Sequence, residues 1–107
     1  MIVVTTSTVA GSRVTEVLGM VRGSSIRTKH IGKDIIAVMR NMAGGEIYEY
    51  TKVLAQAREQ AIDRMIEDAQ MLGADAIVAV RFQTSMVMKG AAEMLCYGTA
   101  IRLESDD

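Results

Sequence analysis

The stretch Leu72-Gly73-Ala74-Asp75-Ala76-Ile77-Val78-Ala79-Val80 constrains this chain more than any other. It lies where the longest helical pattern meets the most apolar strand pattern. Gly73 suits the position just past a helix, where a left-handed backbone carries no Cβ penalty only for glycine. Ala74-Asp75 leaves room for a tight connection, and the residues from Ala76 onward read as a strand. The seam sets the fold class as α+β. It does not set the function, because no catalytic constellation accompanies it.

The remaining elements follow from periodicity. Ile2 to Thr6 is a short β-prone run, and Gly11 marks a turn after it. Val14 to Val21 is β-branched and apolar and reads as a strand that Gly23-Ser24-Ser25 ends. Ile35, Met39 and Met42 share one face of a short helix over Asp34 to Met42, which Gly44-Gly45 closes. A long helix runs from Glu46 to Leu72. Ile47, Tyr50, Leu54, Ala57, Ala61, Met65 and Ala69 follow the 3.6-residue period along it, and Val53, Ile62 and Ile66 widen that stripe. Ala76 to Met86 and Ala92 to Leu103 are the last two strands, with a hairpin at Lys89-Gly90. No repeat, low-complexity segment or domain boundary interrupts residues 1–107, so the chain reads as a single domain.

Hairpin register decides which residues share a face. With Met88 opposite Ala91, an even loop puts Val78 opposite Ile101, Phe82 opposite Tyr97 and Thr84 opposite Leu95. The other face then gathers Arg81, Gln83, Ser85, Met94, Cys96 and Arg102. An odd loop puts Val78 opposite Arg102 and Met86 opposite Met94. The even register keeps apolar residues together and is preferred. It also leaves Ile77, Ala79, Met94 and Cys96 on a face that no helix covers, which predicts self-association. The Ile2 to Thr6 run could then pair with a neighbour's sheet edge.

Composition excludes several classes. Twelve basic and thirteen acidic residues leave a net charge of −1, with no general pull toward nucleic acid or anionic membranes. The modest basic stretch Arg22, Arg27, Lys29, His30 and Lys33 has no aromatic platform beside it. No apolar run is long enough to span a bilayer, and Met1 to Thr6 lacks the pattern of a signal peptide. A single cysteine, Cys96, forbids an intrachain disulfide and fits a cytoplasmic protein.

Met39-Arg40-Asn41-Met42-Ala43-Gly44-Gly45, Tyr50, Leu54, Ala57-Arg58-Glu59 and Ala61 resemble the YbjQ-like family. So do Leu72 to Val78, Val80-Arg81-Phe82 and Tyr97-Gly98-Thr99-Ala100, so the likeness covers nearly the whole chain. The family is prokaryotic, uncharacterised, and labelled as heavy-metal-binding. The resemblance implies a dodecin-like subunit: a three-stranded antiparallel sheet packed against a long helix plus a short helix in two layers. An extra short N-terminal strand would help assemble pentamers. It places Ala92 to Leu103 as the central strand. It supplies no catalytic residues. This chain has Ala79 where many members carry Gly, and Arg81 where one branch carries Asp.

The chemical candidates are few. A heavy-metal ion would have Cys96 and His30 as its ligands, and one chain lacks the pairing a structural zinc site requires. The plain alternatives are an exposed His30 and a buried, inert Cys96. Met86-Val87-Met88 and Met94-Leu95-Cys96 would suit Cu(I), although methionines in an aromatic-poor chain more simply fill its core. Glu59, Asp63 and Glu67 form an acidic ridge on the long helix, read as a solvated face. Arg81, Gln83, Glu93 and Tyr97 are the best candidates for a ligand or interface site, since arginine clamps carboxylate or phosphate bidentately. Cys96, His30, Ser24 and Ser25 form no evident nucleophile–base pair, so an enzyme is not expected. The expectation is a non-enzymatic homo-oligomeric binding or structural module. The alternative is a small-molecule-binding module with ligand sites at subunit interfaces.

Overall fold

The structure is a computed structural model, and it describes residues 1–27, 47–88 and 91–107. The short helix expected over Asp34 to Met42, His30, Gly44-Gly45 and Lys89-Gly90 lie outside the described residues. The described elements are β1 (Ile2–Val3), β2 (Ser12–Arg27), α1 (Ile47–Met71), β3 (Ala76–Met88) and β4 (Ala91–Ser105). The strands form one sheet in the order β1-β3-β4-β2. The α+β class holds, and the last strand is central. The sheet differs from the expected three antiparallel strands. It has four, because β1 pairs in parallel with β3 of its own chain at Ile2–Ala76 and Val3–Ile77.

The seam closes as its residues dictate. Gly73 adopts φ 76°. Its N–H donates to the Gln70 carbonyl at 3.0 Å, and the Ala74 N–H reaches back to Ala69 at 3.1 Å. This pair of bonds satisfies carbonyls that a helix end otherwise orphans. Asp75 then ties the turn to the central strand. Its N–H donates to the Ile101 carbonyl at 2.9 Å, and its carboxylate accepts the Leu103 N–H at 2.9 Å.

The apolar stripe of α1 meets one face of the sheet, mainly over β2 and β4. Ala57, Ala61, Met65 and Ala69 are buried against Val21, Ile77, Val80, Met94, Cys96 and Ala100. Ile62 and Ile66 flank that core, half-buried. Close approach depends on Gly23. A Cβ there would collide with the Ala61 carbonyl oxygen and the Met65 amide nitrogen. Gly23 therefore does not end β2. It sits inside a strand that runs on through Ser24 and Ser25 to Arg27.

The hairpin register departs from the expected one. Met88 does pair with Ala91, but irregularities between Met86 and Met88 and between Val78 and Arg81 each shift it by a residue. Phe82 consequently pairs with Cys96, Thr84 with Met94 and Val78 with Thr99. A one-residue shift turns every following side chain to the other face. Ile77, Met94 and Cys96 thus lie beneath the helix instead of on an uncovered face, and self-association can no longer be argued from them.

The second irregularity is anchored by β1 and the residues after it. The Ala79 N–H donates to Thr6 at 2.8 Å and the Val80 N–H to Val4 at 3.1 Å. Ala79 takes φ 55°, a left-handed backbone that disfavours any residue with a Cβ. On the outer face at this end, Val4 and Val9 pack over Ala76, Val78 and Ile101.

Candidate ligand-binding face

From Tyr97 toward the hairpin, the outer face of the sheet is mostly polar and open. Registers on both sides of β4 fix its rungs. Arg22 of β2 and Arg81 of β3 both pair with Tyr97. The next rung is Ser24, Leu95 and Gln83, and beyond it Glu93 pairs with Ser85. Paired residues of antiparallel strands share a face. The four candidates Arg81, Gln83, Glu93 and Tyr97 therefore occupy one surface, joined by Arg22. Arg22, Arg81 and Gln83 are exposed, and Glu93, Leu95 and Tyr97 are half-buried.

Arg81 already has structural work. One of its terminal nitrogens donates to the Thr5 carbonyl at 3.0 Å and to its own neighbour Val80 at 2.8 Å. These bonds hold the N-terminal segment to the sheet and orient the guanidinium. Its other nitrogens retain donors for an incoming anion.

The β2 edge is stitched to the helix by a polar ridge beside the apolar stripe. The buried Ser25 hydroxyl donates to the Gln60 side-chain oxygen at 2.7 Å. Arg64 donates to the Ser24 carbonyl, and the Arg22 N–H donates to the Asp68 carboxylate at 3.4 Å. Arg64 and Asp68 occupy backbone groups of the edge strand that would otherwise invite another strand, and Gln60 satisfies the Ser25 hydroxyl. Reading the sequence for ligands singled out the neighbouring ridge, Glu59, Asp63 and Glu67, which is exposed to solvent. The useful signal was the four-residue spacing of Gln60, Arg64 and Asp68 directly beside Ala57, Ala61, Met65 and Ala69.

A cleft of about 410 Å³ opens at this edge, lined by Arg22, Gly23, Ser24, Arg64, Glu93 and Leu95. It joins the outer face to Arg64, a side chain that sequence reasoning did not single out as a binding candidate.

The metal candidates fare differently. Cys96 is fully buried in the helix-side core. Burial pushes its thiol up from the ordinary value of 9.0, partly offset by a hydrogen bond from the Gly23 backbone. Met65 and Met94 share its core cluster, a sulfur-rich set whose chemistry suits only a soft ion. Their surroundings are Val21, Ala61 and Ala100, and the Met94 sulfur already accepts the Thr84 hydroxyl at 3.2 Å. These side chains fit core packing and do not form an open metal site. Met86 pairs with Ala92 and not with Met94, so the proposed Cu(I) pairing across the hairpin is not formed. Among the described residues, no three of His, Cys, Asp and Glu gather closely enough to hold a metal ion. His30 lies outside those residues. No helix among them is long and apolar enough to cross a membrane.

The architecture, a long helix lying across a sheet with its last strand central, recurs in a protein of unknown function from Pediococcus pentosaceus. That crystal structure superposes with a TM-score of 0.68 at 19% identity, covering 97% of this chain and 98% of the other. Residues 1–104 match the YbjQ family, described as "Putative heavy-metal-binding", and the chain belongs to that family. A UPF0145 protein of Methanosarcina acetivorans is 59% identical over 103 residues, spanning 96% of this chain and 97% of that protein. Another from Clostridioides difficile is 53% identical over 107 residues, spanning all of this chain and 96% of its own length.

Proposed function

We propose that this protein is a non-enzymatic cytoplasmic binding module that works as a homo-oligomer and takes small anionic ligands on the outer face of its sheet. One observation carries the reading: Arg22 and Arg81 flank Tyr97 in register on an open face. Two guanidiniums beside one ring offer charge, directed donors and an amphipathic surface together. The family's heavy-metal label finds no supporting ligand set among the described residues.

Self-association is supported by a different part of the same face. Val14, Val17 and Met20 of β2 are exposed, the last two by 67% and 69%. They lie on an edge strand whose outer rungs continue the uncovered surface. A pentamer is the order the family resemblance implies.

Two measurements test the proposal. Native mass spectrometry of protein purified without chelator or affinity tag should give a pentamer, and a monomer would refute the assembly. Inorganic phosphate should raise the melting temperature of the wild type, with Arg22→Ala and Arg81→Ala each removing the rise. Equal shifts in the variants would take both residues out of the site.

A further inference from the structure

The cleft at the β2 edge combines groups that select more narrowly than an anion site. Arg22 and Arg64 bring two guanidiniums, Glu93 brings one carboxylate, and Leu95 provides an apolar wall. We propose that this cleft binds a small zwitterion of net negative charge, of the acidic amino-acid class. Its carboxylates would meet Arg22 and Arg64, its ammonium Glu93, and its methylene chain Leu95.

Charge makes the first selection. Among the residues that line the cleft, two cations and one anion leave a net charge of +1, which a ligand with two carboxylates and one ammonium complements group by group. A simple dianion would satisfy the arginines but face the Glu93 carboxylate unpaired, and like charges at close range disfavour each other. A cation would lose against the two arginines. Preorganisation makes the second selection. Arg64 is anchored on the Ser24 carbonyl, which fixes its planar fork while leaving other N–H donors to take a carboxylate bidentately. A side chain already ordered loses less freedom when the ligand arrives. Size makes the third: about 410 Å³ admits a small metabolite and not a macromolecule. Among the described residues, no aromatic side chain lines the cleft, so none of them offers the stacking platform that a nucleobase would use.

This inference rests on the outer-face reading through Arg22 and Glu93, whereas Arg64 belongs to the cleft alone. The test is isothermal titration of the full chain with L-glutamate and with glutarate, which lacks the ammonium. Glutamate should bind at least about tenfold more tightly than glutarate. Glu93→Gln should bring the two within about twofold of each other, and Arg64→Gln should weaken glutamate at least about tenfold. If Arg64→Gln fails to fold, Glu93→Gln keeps the test decisive, because Glu93 is half-buried and makes no ion pair among the described residues. Equal affinity for glutamate and glutarate, or glutamate affinity unchanged in Glu93→Gln, would overturn the assignment. If phosphate stabilises the protein through Arg81 while glutamate does not bind, the cleft assignment falls and the outer-face reading stands. If neither binds, both fall.

Discussion

Strand β4 shows one side of itself to the helix and the other to solvent, and the two sides obey different rules. Met94, Cys96, Gly98 and Ala100 alternate inward and are buried. Glu93, Leu95, Tyr97 and Thr99 alternate outward and are half-buried. The inward side is set by volume. A Cβ at Gly23 would meet helix backbone and one at Gly98 would meet Ile77, Val78 and Val80 of β3, and the helix faces the sheet with Ala57, Ala61 and Ala69. The outward side is set by charge and hydrogen-bonding groups, with room left between them. A residue's chemistry alone does not reveal its role here. Cys96 is the most reactive group by type and is sealed in the core, whereas Arg22 drew attention only as part of a basic stretch.

The contrast can be broken most forcefully at Gly23. Gly23→Ala drives a methyl group into helix backbone and should cost about 3 kcal/mol, read as a fall in the urea midpoint. An unchanged midpoint would mean that α1 does not rest on β2 there. Ala79 offers a change of opposite sign. Ala79→Gly relieves a left-handed alanine and should stabilise the fold by about 1 kcal/mol. Destabilisation instead would show that the methyl group's packing outweighs its strain.

A smaller effect comes from the buried thiol. Burial favours the neutral form, so the folded state holds its proton to higher pH than the unfolded state does. Cys96 therefore contributes stability that is intact below the unfolded value near 9.0 and is lost as pH rises through the folded value. Denaturation curves should weaken on the alkaline side of pH 9, and Cys96→Ala should flatten that decline relative to wild type. The smallest effect is expected outside. Tyr97→Ala should remove phosphate stabilisation while changing the fold by less than about 0.5 kcal/mol. A large loss of stability would place Tyr97 with the core and not with the binding face.

Much of the fold was legible. The 3.6-residue stripe through Ala57, Ala61, Met65 and Ala69 marked the buried face of α1 because volume and period agree there. Gly73 and Asp75 marked the seam because each meets a demand few residues can meet. The faces of the hairpin were misassigned for an equally physical reason. Each irregularity in β3 adds one residue, and the one at Ala79 carries no glycine to announce it. In β2 a comparable shift falls between Val17 and Gly19, and Gly19 takes φ 127°. Arg81, Gln83, Glu93 and Tyr97 stand out in the sequence as polar residues of neighbouring strands. Their union on one face depends on the irregularity near Met86, which no residue pattern discloses. The cleft was hidden further, since Arg64 joins it from across the sheet edge.

The central position of the final strand also bears on how the chain is made. Ser12 waits for Ser105, which leaves the ribosome 93 residues later (105 minus 12). Ile2 waits 74 residues for Ala76 (76 minus 2). At roughly 5–20 residues per second, both strands spend seconds without a partner. Until β4 emerges, β2 and β3 have nothing to lie between them, and the apolar side of α1 lacks half its floor. Folding must therefore wait for β4 to emerge, with the slow closure that such distant pairings impose. A ribosome stalled just before Ala91 would hold a chain with 44 of its 53 hydrophobic residues and almost none of its sheet.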